Sequence, residues 1–284
     1  KCDPLHFCLL GEQPEGLQTH PSLEKPMTHL FYYSTVFLGR CFYIVGGGLR
    51  WTDPCNRVWR YNLVTNTWQQ MSPMQESRYL MSVTELKGCI YAMGGYRDDD
   101  GTTRRTAERY QPNINQWTFI ASMNEERFSA SCTTLNNKIY ICGGWSNYRV
   151  LNTAEYYNPD TNQWTLITPM GTPRYKLGVV AYMGHIFAVG GSDGFRYQRS
   201  AEAYDPVTNI WYDVPEMVHT HRYFGIAVMN KQIFVVSCST GNRIVECYDY
   251  TSNTWSVVFS GMDHNVWVKC CVISGLPNMA ECSA

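Results

Sequence analysis

Four Arg-aromatic pairs recur along the 284-residue chain: Arg78-Tyr79, Arg127-Phe128, Arg174-Tyr175 and Arg222-Tyr223. A guanidinium fork binds carboxylates bidentately and stacks on rings, and arginine beside aromatic residues is the usual make-up of an interaction hot spot. Six more aromatic residues, Trp51, Tyr96, Trp145, Tyr148, Phe195 and Tyr197, stand in short stretches between predicted strands, and Trp267 takes the aromatic place near the next entry. Arg50, Arg97, Arg104, Arg105, Arg149, Arg196 and Arg199 are interspersed with them. The set points to a protein or peptide ligand with carboxylate and apolar side chains, although the acidic run 98–100 offsets part of the charge. The competing expectation is that each paired arginine bonds only neighbouring carbonyls or Glu76, Glu125 and Glu126.

Other chemistries find less support. His219 and His221 have the same-face spacing of a strand, but no third convergent ligand is identifiable, so no metal and no cofactor are expected. Gly-Gly pairs begin at Gly46, Gly94, Gly143 and Gly190, yet none is followed by a helix or by Lys-Ser/Thr, so they read as points of backbone crowding rather than phosphate cradles. No Gly-x-Ser-x-Gly elbow or Ser-His-Asp order is recognisable, and no enzyme is expected. The formal net charge of -1 and seven scattered lysines exclude a basic nucleic-acid footprint. The longest uncharged stretch, 177–192, is interrupted by Gly184-His185 and is too short for a membrane span. The twelve cysteines contain no C-x-x-C pair, and Cys41, Cys89, Cys132 and Cys142 stand in apolar runs. With no Asn-x-Ser/Thr acceptor in the chain, that composition favours a reducing, cytoplasmic or nuclear location.

The elements that must position these residues follow a repeat. The Gly-Gly pairs are 48, 49 and 47 residues apart, and a tryptophan follows each, at Trp68, Trp117, Trp164 and Trp211, with Trp255 extending the series. A tyrosine stands seven residues before each tryptophan and an asparagine two before it, while Met74, Met123, Met170 and Met217 follow six after. Within one unit Ser131–Leu135, Lys138–Cys142, 155–158 and Gln163–Ile167 are short β-prone runs, which makes four strands per repeat. Tight turns are expected at Gly39-Arg40, Lys87-Gly88, Asn136-Asn137, Gly184-His185 and Asn230-Lys231. In a four-stranded meander these turns share one face. The variable second-to-third-strand loops and the unit-to-unit connections, with the Arg-aromatic pairs, share the other.

Residues Ile139-Tyr140-Ile141-Cys142-Gly143-Gly144, Ala154-Glu155-Tyr156-Tyr157-Asn158-Pro159 and Thr161-Asn162-Gln163-Trp164 make the plainest copy of a pattern that resembles the Kelch repeat. The resemblance covers nearly the whole chain and implies one all-β domain over 1–284, a six-bladed propeller with four-stranded blades. Five blades would occupy 28–74, 75–123, 124–170, 171–217 and 218–262. The sixth would be shared by 263–284 and 1–27, where 7–12 looks like a degraded Gly-Gly strand and 266–273 like an orphan first strand, closing the ring and removing open edges. Ser237-Cys238 replaces Gly-Gly in the fifth unit, so that blade is expected to be altered. The third strands Glu-Arg-Tyr, Glu-Tyr-Tyr and Glu-Ala-Tyr most resemble the BTB-BACK-Kelch branch, which implies substrate recognition for a cullin-RING ubiquitin ligase, with cullin contact through BTB and BACK regions outside this domain. Other Kelch proteins organise actin, and propellers resembling galactose oxidase carry a Tyr, Tyr, His, His copper site that is not identifiable here.

Overall fold

The computed structural model describes residues 7–10, 18–19, 30–48, 53–97, 102–146, 148–239, 242–262 and 269–272. Two short strands lead, β1 (Phe7–Leu10) and β2 (Gln18–Thr19). Blade I follows as β3 (Ser34–Leu38), β4 (Cys41–Val45), β5 (Val58–Asn62) and β6 (Thr67–Met71). Blade II begins with β7 (Ser82–Leu86) and β8 (Cys89–Met93), carries the loop ribbon β9 (Tyr96–Arg97) and β10 (Thr102–Thr103), and ends with β11 (Ala107–Gln111) and β12 (Gln116–Ile120). Blade III repeats the plan with β13 (Ser131–Leu135), β14 (Lys138–Cys142), the ribbon β15 (Trp145–Ser146) and β16 (Arg149–Val150), then β17 (Ala154–Asn158) and β18 (Gln163–Ile167). Blade IV is β19 (Gly178–Tyr182), β20 (His185–Val189), β21 (Ala201–Asp205) and β22 (Ile210–Val214). Blade V is β23 (Phe224–Met229), β24 (Gln232–Ser239), β25 (Asn242–Asp249) and β26 (Thr254–Met262), and β27 (Lys269–Val272) closes the list of strands. Each blade is an antiparallel meander, and the first strands of successive blades touch one another, as in a β-propeller.

The repeat residues form a clasp that joins blade to blade. Asn115, Asn162, Asn209 and Asn253 sit at φ of 50–58° in the turn before the fourth strand, a left-handed conformation that asparagine tolerates. The repeat tyrosine donates its hydroxyl to the asparagine Oδ1 within each blade, as from Tyr110 to Asn115 at 2.8 Å and from Tyr157 to Asn162 at 2.9 Å. The same Oδ1 then accepts a backbone N–H from the preceding blade: Ser72 to Asn115 at 3.0 Å, Ala121 to Asn162 at 2.9 Å, Thr168 to Asn209 at 3.2 Å. The tryptophan indole completes the grip by donating to the carbonyl of that same residue, from Trp117 to Ser72 at 3.0 Å, Trp164 to Ala121 at 2.8 Å and Trp211 to Thr168 at 2.7 Å. Each junction is also an apolar core: Met71 and Met74 of blade I pack with Ile90, Tyr110 and Trp117 of blade II, and Met123 with Ile139 and Tyr157 at the next junction. Burying one such large side chain contributes about 1.5–3 kcal/mol.

The tight turns are built from residues at positive φ, Lys87-Gly88, Asn136-Asn137 and Asn230-Lys231 as expected. In blade IV the pair is Met183-Gly184, one residue earlier than the sequence suggests, because His185 already pairs with Tyr182 in the ladder. The Gly-Gly pairs leave the strand at φ of 57° and 101° in blade I, and a Cβ on Gly46 would lie 2.6 Å from the Arg78 carbonyl. Blade V shows what happens without them. Ser237, Cys238 and Ser239 stay in the ladder opposite Ile244, Arg243 and Asn242, so the second and third strands run eight residues each instead of five. The altered fifth blade is therefore a longer hairpin.

The termini meet, and among the described residues they contribute three strands to that meeting, not the four of the other blades. β1 pairs with β2 antiparallel and with β27 in parallel, giving a three-stranded sheet beside the five four-stranded blades. No hairpin connects β1 to β27, so nothing dictates the antiparallel direction that the meanders share. β27 lies against both β23 and β3. Residues 11–17, 20–29 and 273–284, which the sixth-blade expectation also invokes, are outside the described residues.

Candidate partner-binding face

The loop face is knit by its backbone. Tyr32, Leu80, Ser129 and Lys176 all adopt φ of 51–54°, and each of the last three passes a hydrogen bond to the one before it in the preceding blade: Leu80 N–H to the Tyr32 carbonyl at 3.1 Å, Ser129 to Leu80 and Lys176 to Ser129 at 2.8 Å. Bridges between Tyr79 and Tyr96, Phe128 and Trp145, and Tyr175 and Ser192 tie each connection to the loop of its own blade. This rigid rim carries a row of rings. Tyr32 and Tyr79 centroids are 6.1 Å apart, Tyr79 and Tyr96 5.5 Å, Tyr96 and Phe128 5.3 Å, and Trp145 and Tyr175 5.1 Å. The Lys176 ammonium lies 5.4 Å from the Tyr175 ring and 5.2 Å from the Tyr223 ring, and the Arg222 guanidinium 5.5 Å from that of Tyr197. Tyr148 and Phe195 project at 98% and 99% exposure from the loops of blades III and IV.

Three of the expected ligand-binding arginines are not on this surface. Arg78, Arg127 and Arg174 are 0–1% exposed. Arg78 Nη1 donates to the Gly94 and Thr106 carbonyls at 2.8 Å each, and its Nε reaches Glu108 at 3.2 Å. Arg127 bonds the Gly143 carbonyl at 2.7 Å and Glu155 at 3.0 Å, and Arg174 the Gly190 carbonyl at 2.9 Å and Glu202 at 3.0 Å. Each guanidinium thus pins the Gly-Gly bend to the third strand, and each glutamate also accepts two backbone amides of the blade connection, such as Gln75 at 2.6 Å and Glu76 at 3.2 Å on Glu108. Burial pushes the Glu108 carboxyl up against the pull of Arg78, and pulls Arg78 down against Glu108 and Glu76. A ligand cannot reach these forks with the blade closed. They bond carbonyls and glutamates, but the fully buried partners are Glu108, Glu155 and Glu202, while the partly exposed Glu76 lies 2.8 Å from Arg78 and Glu125 3.7 Å from Arg127.

The fourth pair is out of register. Counting four residues from the repeat methionine reaches Arg78, Arg127 and Arg174, but from Met217 it reaches His221. His221 is 1% exposed, with Nδ1 2.6 Å from Ser237 Oγ and Nε2 2.9 Å from Glu246 Oε1. Glu246 accepts the Val218 and His219 amides at 2.6 and 2.8 Å, as its counterparts do. Burial alone would raise Glu246, but the hydrogen bonds from His221 and these amides hold its carboxyl below the usual range. His219 Nδ1 lies 3.1 Å from the same oxygen, so the two histidines converge on a carboxylate. The serine, imidazole and glutamate have the connectivity of a hydrolase triad, yet all are at least 99% buried and brace the blade. Arg222 and Tyr223 are exposed on the mouth. Trp51 and Trp267 lie outside the described residues.

The cations on the face differ in their availability. Arg149 pairs with Glu125, Arg196 with Asp193 at 3.9 Å, and Arg199 with Glu216 at 2.9 Å. Among the described residues Lys176 and Arg222 have no carboxylate partner and rest on rings instead. The Cys132 and Cys142 thiols are pushed up to about 12 by burial, which removes them as nucleophiles. Among the described residues no helix is long and apolar enough to cross a membrane, and no group of three or more His, Cys, Asp or Glu is placed to hold a metal.

A propeller whose blades are braced by buried Arg-Glu pairs and whose loop face is a rim of rings has the features of a Kelch-type protein-interaction domain. The profile of the KLHDC2/KLHL20/DRC7 Kelch-repeats domain matches residues 32–238, and the chain belongs to that Kelch-repeat family. It is similar to Kelch-like protein 23 of Mus musculus, 37% identical over 81 residues that make up 28% of this chain and 14% of that protein. It is also similar to Kelch-like protein 21 of Danio rerio, 44% identical over 64 residues, 22% of this chain and 10% of the relative. With Kelch-like protein 35 of Mus musculus the identity is 29% over 100 residues, 35% of this chain and 16% of the relative. These matches therefore span well under a fifth of each relative's own length.

Proposed function

We propose that this domain is the substrate-recognition end of a cullin-RING ubiquitin-ligase adaptor, holding a short extended peptide of a cytoplasmic or nuclear protein over the loop face. The carrying observation is the rim of rings from Tyr32 through Tyr79, Tyr96, Phe128, Trp145 and Tyr175, with Tyr148 and Phe195 standing out of it. Such rigid rings give large contact area at low entropic cost. Carboxylate recognition passes from the buried arginines to Lys176 and Arg222. Tyr79, Phe128, Tyr175 and Tyr197 form the floor, and Tyr223 the wall beside Lys176. The Kelch-like relatives and the resemblance of the third strands support the adaptor role. Cullin contact would be made by BTB and BACK regions outside the propeller. The seat of β27 between β23 and β3 supports a ring of six blades, the sixth shared by the termini.

The test is quantitative affinity capture from cells with the wild type and the triple variant Tyr148→Ala, Phe195→Ala and Arg222→Ala, all on exposed side chains. A partner whose capture and ubiquitylation both fall about tenfold or more, with the fold unchanged by circular dichroism, is the expected result. Unchanged capture would place recognition elsewhere, and capture without ubiquitylation would sink the adaptor role alone.

A further inference from the structure

The junction between blades IV and V lacks the clasp that closes the junctions before it. At those junctions an asparagine and a tryptophan together hold the N–H and the C=O of one residue: Ser72, Ala121 or Thr168. The residue two before Met217, at the same register, is Pro215. Proline has no N–H to give. Asn253 accordingly accepts the Tyr248 hydroxyl at 2.7 Å but no amide from blade IV among the described residues. Trp255 is 8% exposed, and its buried Nε1 has no acceptor among the described residues. A buried donor left unpaired is destabilising, so this junction lacks what secures the three before it.

A cavity of about 440 Å³ opens at this junction, with Tyr212 and Asp213 on one wall and Tyr248, Tyr250 and Asn253 on the other. Tyr250 and Asn253 belong to the turn between β25 and β26, so the groove lies on the tight-turn side, away from the loop-face mouth. β22 is the outer edge strand of its blade and presents unpaired backbone groups along the rim. Tyr212 and Tyr250 are 40% and 48% exposed, and Asp213 is exposed between them and the edge. Asp205 and Asp249 add two carboxylates on the flanking turns, against His185 and Lys231 as the basic groups nearby. Aromatic faces beside an excess of carboxylate attract a cation.

We propose that this groove binds an extended peptide segment carrying a lysine or arginine. One residue of that segment gives its N–H to Asn253, replacing the amide that Pro215 lacks. The basic side chain lies between the Tyr212 and Tyr250 rings, with Asp213 as its counter-charge.

The probe is a blocked alanine pentapeptide with a central lysine, titrated into protein carrying ¹⁵N-labelled indoles, with the central-glutamate peptide as comparator. The Trp255 indole resonance, assigned by its loss in Trp255→Phe, shifts saturably with the lysine peptide and at least about tenfold more weakly with the glutamate peptide. Pro215→Thr rebuilds the clasp seen at Thr168, raises the melting temperature and abolishes the response. Tyr250→Ala, on an exposed turn, weakens binding about tenfold without changing the fold and stands in if the threonine variant does not fold. An indole that does not move, an equal response to the glutamate peptide, or full binding by both variants overturns the proposal.

Discussion

Arg127 is sealed between the Gly143 carbonyl, the Thr153 carbonyl and Glu155, so its charge and that of the glutamate depend on each other. Removing one member of a fully buried pair strands the other charge, at a cost of about 3–5 kcal/mol. Arg127→Gln should therefore lower stability by about that amount, read as a fall in the denaturant midpoint, while Arg222→Gln, on the exposed mouth, should change it by less than about 0.5 kcal/mol. Equal effects would mean that Arg127 is not the brace described. Glu246 allows the same logic to be read through pH. Its carboxyl is held below its ordinary range, so the native state favours the charged form. The stability this contributes is fully present above the unfolded value of about 4.3 and is lost as pH falls through the lower folded value. The stability gap between wild type and Glu246→Gln should be widest near neutrality and shrink towards acid. A gap independent of pH would remove Glu246 from the linkage.

At the scale of the strand and turn, Asn162 does three jobs: it holds a left-handed turn, receives the Tyr157 hydroxyl and accepts the Ala121 amide. Asn253 does only the first two among the described residues, because Pro215 offers no amide. Asn162→Ala should thus cost more than Asn253→Ala by roughly the 1 kcal/mol of one interblade hydrogen bond. Matched thermal unfolding of the two variants checks it, and an equal cost would mean that the fourth junction is clasped by other means. The strands themselves were legible from sequence because their signals are local. Ser131–Leu135, Lys138–Cys142 and Gln163–Ile167 are bounded as expected, by Asn136-Asn137 at positive φ and by the Gly-Gly bend. The bracing glutamates were not legible in their role, since Arg127 and Glu155 are 28 residues apart and a strand pattern carries no record of that contact. The spacing of 30, 28 and 28 from Arg78, Arg127 and Arg174 to Glu108, Glu155 and Glu202 is a repeat signal that could have revealed them. His221 was hidden by its neighbours, because Arg222-Tyr223 imitates the pair one residue late.

For the molecule as a whole, the blades are nearly independent sheets joined by clasps and by apolar seams such as the one that brings Val189 and Met217 against Ile233, Tyr248 and Trp255. A ring of such sheets is stable only if it has no open ends, because an unpaired innermost strand exposes both a hydrophobic seam and a row of backbone groups. β27 lies against β23 on one side and β3 on the other, and β1 pairs with it. These few residues at the chain termini are the only strands described between the first and fifth blades. If the terminal strands close the ring, deleting residues 263–284 should do more harm than their number suggests. Blade I and blade V would each expose an inner face, the thermal transition should broaden as the blades lose their mutual support, and the protein should self-associate through the exposed edges. Calorimetry and light scattering on the truncated chain measure both effects. A truncated protein that stays monomeric and unfolds in the same sharp transition would show that the five blades hold together without the terminal sheet.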